Sequence, residues 1–149
     1  MTLSEREALR RDFLFSFHCA MPGIVESFDP ETQTVTVRPA IKTRRSLSSG
    51  SPAATPTVMD SLPLLRDVPV FFPGTRSSAI TWMIEPGDEC LVIFADSAID
   101  RWFDTGEPSE PPSDRAHDLS DAFAFVGFRS RPNALQNFPS EPSFFGGNP

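Results

Sequence analysis

Sixteen prolines spread along 149 residues constrain this chain more than any other feature. Each fixes φ at about −65° and removes a backbone donor, which limits helix content and favours short strands, turns and extended segments. Fourteen phenylalanines and no tyrosine accompany them, supplying large apolar contacts without a polar handle. The mixture reads as mostly β, with extended pieces that need a surface to pack against.

The N-terminal stretch is the exception. Ser4 followed by Glu7 forms a capping-box pattern, and Leu9, Phe13, Phe17 and Ala20 recur near every fourth residue as one apolar stripe. Glu7 and Arg11 lie one turn apart on the other face. A helical unit is expected over residues 1–22, stopped by Met21-Pro22-Gly23, with its stripe buried against its own domain or a neighbouring subunit.

Residues 23–128 read as one β domain. "GIVESFDPETQTVTVRPAIK" is a hairpin whose Val35 and Val37 alternate with polar residues. The Lys42–Arg45 cluster reads as a solvated flank of the low-complexity loop 46–57. "LPLLRDVPVFF", "AITWMI", "ECLVIFA" and "HDLSDAFAFVGF" supply the remaining strands. In "EPGD", Pro86 and Gly87 fit the centre of a type II turn and Asp88 bonds nearby backbone. Asp96 or Ser97 is expected to cap a short helix, "AIDRWFDT", that Gly106 ends. About five strands, an N-terminal helix and a short helix after the barrel strands suit a Greek-key barrel of the OB type. Residues 129–149 lack periodicity and form an extended Pro/Phe-rich tail, whose Phe138, Phe144 and Phe145 are expected to dock on a partner chain.

Charge and length narrow the function. One domain's worth of chain has room for one core. A formal charge of −7 disfavours nucleic acid, because a phosphate track needs clustered Lys and Arg. Trp82 and Trp102 sit in apolar contexts and are expected in the core. Two cysteines, Cys19 and Cys90, do not build a disulfide framework or a zinc site, and Cys90 reads as a small buried hydrophobe. "MTLSEREALRRDF" lacks the apolar centre of a secretory signal, and no apolar run reaches the roughly 20 residues of a spanning helix. The chain is expected to be made in a reducing cytoplasm and at first to stay there.

Six carboxylates crowd "EPGDECLVIFADSAIDRWFDTG", Glu85 to Gly106. Crowded carboxylates ligate metals, act as acid and base, or serve turns. Here each has a structural use at a turn, a strand start or a helix N-terminus, and the calcium-loop pattern is absent. His18, at the end of the first helix, suits the macrodipole, and His117 suits a loop bonded to backbone or to Asp118. No nucleophile elbow, Walker loop, H-E-x-x-H or paired Cys-x-x-Cys occurs. No catalytic residue, cofactor or metal is expected.

Four ordered blocks carry a resemblance: "MPGIVESFDPETQTVTVRPAI", "LPLLRDVPVFFP", "EPGDECLVIFADSAIDRWFDTG" and "HDLSDAFAFVGF". From about Met21 to Phe128 they resemble the N-terminal domain of baseplate central spike proteins, the membrane-piercing needles of contractile-tailed phages. The resemblance implies an OB-fold domain trimerising on the tail axis, between a baseplate hub protein above and a piercing tip below. It implies a location in the virion tail baseplate, after assembly in the host cytoplasm, with no nucleic acid and no stable membrane insertion. Piercing members continue into a trimeric β-helix whose tip holds iron through His-x-His. No alternating repeat follows Phe128 and one histidine follows His18, so needle and iron are not expected in this chain. A separate tip protein, or the Phe-rich tail itself, would then close the tip. The leading expectation is a structural spike or hub-plug protein of a phage, tailocin or prophage remnant. The alternatives are an OB-fold nucleic-acid-binding module and, third, a carboxylate-dependent glycan hydrolase working through Asp96 or Asp100.

Overall fold

A computed structural model describes residues 1–46 and 57–141. Its elements are α1 (Leu3–Ser16), β1 (Ala20–Asp29), β2 (Thr34–Pro39), β3 (Lys42–Ser46), β4 (Thr57–Ser61), β5 (Leu65–Pro69), β6 (Glu89–Phe94), α2 (Asp100–Thr105) and β7 (Ala122–Val126). A single 3-10 turn, Arg131–Asn133, follows.

Five strands form one antiparallel sheet in the order β5-β2-β1-β6-β7. The alternation at Val35 and Val37 turns both side chains inward, and Asp29 holds the hairpin turn by accepting the Glu31 N–H at 2.9 Å. A register shift between Val25 and Ser27 makes a bulge that curls the sheet. The curl brings its two edges together. Just after β5 the Phe71 N–H donates to the Ala124 carbonyl at 3.0 Å, and Val70 bridges Ala124 in parallel. This curled, nearly closed five-stranded sheet has the OB-like topology.

The interior is narrow. Its buried apolar residues are Val25, Val35, Val37, Leu65, Val68, Ile84, Cys90, Val92, Phe94, Ala98, Ala122 and Ala124, with one aromatic among them. Burying each valine or leucine contributes about 1.5–3 kcal/mol, and the small side chains allow strands to meet closely. Gly23 marks the tightest point, since a Cβ there would collide with Val37 Cγ1.

Several expectations are corrected. The capping box at the start of α1 is Thr2 with Glu5, not Ser4 with Glu7. Glu5 N–H donates to Thr2 Oγ1 at 3.2 Å and Thr2 N–H donates to Glu5 Oε2 at 2.7 Å. α1 ends at Ser16 rather than running to residue 22, because Phe17 turns to stack on His117, with ring centroids 3.8 Å apart. His18 is therefore outside the helix, and Met21-Pro22-Gly23 lies within β1. The basic run from Lys42, which flanks the 46–57 segment, is also a strand, β3, paired with β4 as a separate two-stranded ribbon. "AITWMI" is not a strand: its pairing among the described residues is a bridge of Ala79 to Gly74, beside the Ile80 N–H donating to the Pro73 carbonyl at 2.7 Å. Most of the 46–57 loop lies outside the described residues.

Candidate functional site

In the acidic block from Glu85, the carboxylates of Asp88, Glu89 and Asp100 accept hydrogen bonds. At its start Glu85 O accepts the Asp88 N–H at 3.1 Å, and Asp88 Oδ2 accepts the Glu85 N–H at 2.8 Å. Gly87, after Pro86, holds φ at 98°. This turn is stitched to the β1 bulge by Gly87 N–H to Val25 O and Val25 N–H to Asp88 O, both 2.8 Å. Glu89 starts β6 and accepts the Ser130 N–H at 2.7 Å, tying the C-terminal segment to the barrel. The Ser130 side-chain and backbone hydrogen bonds hold its carboxyl below the usual range.

α2 is not capped by Asp96 or Ser97. Its N-cap position is Ile99, without a side-chain cap bond of its own. Asp96 is instead exposed, with Oδ1 3.6 Å from His117 Nε2. The start of α2 is served from across the fold by Asp121, whose Oδ1 accepts the Ile99 N–H at 3.1 Å. Gly106 closes the helix in the left-handed region, at φ 71°, donating its N–H to the Trp102 carbonyl at 2.7 Å.

Asp121 is the one fully buried charged residue among the described residues, with no exposed surface. Arg115 meets it in a fork: Nε donates to Oδ2 at 3.1 Å and Nη2 to Oδ1 at 3.0 Å. Nη2 also reaches Asp100 Oδ2 at 2.5 Å. Hydrogen bonds to Asp121 and then Asp100 push the guanidinium further above its already high range, so it stays charged. The Asp121 carbonyl accepts the Ala95 N–H at 2.7 Å. One residue thus binds the end of β6, the start of α2, the intervening loop and β7. A charge buried this thoroughly and paired this fully braces the fold. The sequence carried little sign of it, beyond an Asp directly ahead of an alternating apolar strand.

His117 performs a similar task at the exit of α1. Its backbone takes φ 48°, its carbonyl accepts the His18 N–H at 3.2 Å, and its Nδ1 lies 3.1 Å from the His18 carbonyl. The Cys19 carbonyl accepts the Phe94 N–H at 3.0 Å. The three residues between α1 and β1 therefore have no slack. The next residue, Asp118, is held below its usual range mainly by the Ser120 N–H. Among the described residues no three of His, Cys, Asp and Glu are grouped as metal ligands.

The narrow interior leaves the aromatics outside. Trp82 and Trp102, expected in the core, are 42% and 46% exposed. A barrel lined by valine and alanine has no room for an indole. On the outer wall Trp102 meets Phe123 and Phe71 meets Phe125, at ring centroid distances of 5.8 and 5.1 Å. With Val70 and Ile93 they line an apolar groove of about 330 Å³. A second patch runs through Phe28, Phe72 and Trp82.

α1 buries none of its residues. Phe13 is 60% exposed and stacks on Phe17 at 5.3 Å, and Phe17 touches its own barrel through His117. Phe138 is 76% exposed; Phe144 and Phe145 lie outside the described residues. No helix among the described residues is long and apolar enough to cross a membrane. The surfaces this barrel offers are thus aromatic, open and shallow, suited to broad contact with other protein surfaces.

Comparison with curated proteins gives no match. A family model, that of the phage protein Gp138 N-terminal domain, matches residues 21–127, from β1 to the residue after β7.

Proposed function

Because this chain belongs to the Gp138 N-terminal domain family of phage proteins, we propose that it is a structural component of a contractile phage or tailocin baseplate. In this reading it is a trimer on the tail axis that links the hub above to the envelope-piercing tip below, and it works by mechanical rigidity rather than by catalysis. The observation that carries the reading is the inversion of the usual aromatic distribution. A barrel braced inside by small side chains and the Arg115–Asp121 pair exposes Phe13, Phe71, Trp82, Trp102 and Phe138. Large exposed apolar area on a soluble domain marks protein contacts, and closed rotational symmetry is the economical way to cover it with identical chains.

The bonded carboxylates of residues 85–106 fit a mechanical role: Asp88 holds the turn, Glu89 ties down Ser130 and Asp100 pairs with Arg115. Native mass spectrometry of the purified protein at tens of micromolar tests the assembly, with a trimer as the expected species. A monomer across that range sinks the axial-spike reading. Pull-down by a hub protein encoded beside it tests the setting.

A further inference from the structure

Two apolar surfaces of this chain lack a partner among the described residues and carry complementary charge along one flank. One is the stripe of α1. A 14-residue helix is marginal in water without tertiary packing, yet α1 buries no residue, and Leu9 and Phe13 stay exposed although Phe13 stacks on Phe17. The other is the groove of Phe71, Ile93, Trp102, Phe123 and Phe125 on the outer wall. The two do not meet within one chain. α1 leaves at the barrel end where Ala20 pairs with Ile93, and Phe17, His18 and Cys19 are held there by the His117 stack and by bonds to His117 and Phe94. To lie along the wall, α1 would have to double back through these three held residues.

Charge points the same way. Arg6 and Arg10 stand one turn ahead of Leu9 and Phe13 and line one flank of the stripe, with Glu5 and Asp12 on the other flank. The Trp102 wall of the groove lies in the stretch Asp96–Glu110, which holds five carboxylates (Asp96, Asp100, Asp104, Glu107 and Glu110) and one cation, Arg101; with Asp100 paired to Arg115, the stretch remains net acidic.

We infer that α1 of one copy seats Leu9 and Phe13 in the Phe71/Trp102/Phe125 groove of a second copy, with Arg6 and Arg10 facing the acidic α2 segment. This rests on the trimer reading and names its contact. Three such head-to-tail contacts close a ring.

The test co-expresses two differently tagged full-length chains in a Cys19→Ser background, one carrying Phe13→Cys and the other Phe125→Cys, treated with a short bismaleimide. The expected product is a covalent dimer containing both tags, lost when either new cysteine is omitted. Phe13→Asp alone is expected to convert the wild-type trimer to a folded monomer, since α1 contributes nothing to the barrel core. A wild-type monomer overturns both this contact and the trimer. A wild-type trimer that gives no mixed-tag dimer, or that survives Phe13→Asp intact, overturns this contact and leaves the trimer standing.

Discussion

The Arg115 guanidinium lies flat against the fully buried carboxylate of Asp121, with both of its inward nitrogens bonded, at 3.1 and 3.0 Å. Removing one partner strands the other. Arg115→Ala should cost about 3 kcal/mol, the low end for a broken buried pair, because about a third of the Arg115 side chain still reaches solvent. Urea denaturation followed by tryptophan fluorescence measures it. Replacing both residues with apolar ones of similar volume should restore much of the loss, and no recovery would mean that the Ile99 N–H contact to Asp121 matters more than the ion pair.

Acid should weaken the fold partly through Asp118. Its folded carboxyl is held below the ordinary value of 3.8 by the Ser120 N–H. A depressed carboxyl stabilises the folded state above its unfolded pKa, and that contribution disappears as pH falls through the folded value. In Asp118→Asn the drop in urea midpoint between pH 5 and pH 3 should therefore be smaller than in the parent. An identical drop would assign the acid sensitivity to other carboxylates.

Two glycines should fail for opposite reasons. Gly87 has open space around it but sits at φ 98°, so Gly87→Ala costs about 1–2 kcal/mol of backbone strain. Gly23 has no such strain, but a Cβ there would collide with Val37 Cγ1 and lie 3.4 Å from the Cys90 sulfur. Gly23→Ala should cost about 1–3 kcal/mol through overpacking, and Val37→Ala should relieve part of it. Thermal melts of the two single variants and the Gly23/Val37 double variant separate the mechanisms.

The two thiols should react at very different rates. Cys19 is exposed and Cys90 buried, and burial pushes the Cys90 thiol up to about 11. Since the thiolate is the nucleophile, native protein at pH 8 should release one fast equivalent of thionitrobenzoate from Ellman's reagent, with the second appearing on unfolding. Two fast equivalents would show that the β1–β6 region opens readily.

Local pattern foretold most of the barrel. Period-two alternation marked β2, the apolar run after Glu89 marked β6, and the Pro86-Gly87 pair and Gly106 marked a turn and a stop because special φ values demand such residues. What stayed hidden depended on distance or volume. Thr2/Glu5 and Ser4/Glu7 are both capping boxes by spacing, and nothing local chooses between them. The β3–β4 ribbon pairs segments across a long loop, which periodicity does not register. Trp82 and Trp102 were expected inside because their neighbours are apolar, but only the finished interior shows how little volume is left. Nothing local singles out Asp121, whose role depends on Arg115, six residues earlier in sequence, folding against it.

β1 follows directly from α1 and runs down the middle of the sheet, with β2 on one side and β6 on the other. A tug on α1 along that axis meets ladder bonds lying crosswise to it on both flanks. Such bonds share the load and yield together, whereas a strand peeled from an edge gives way one bond at a time. A subunit gripped by this helix is held in shear, the loading geometry in which a sheet is hardest to open.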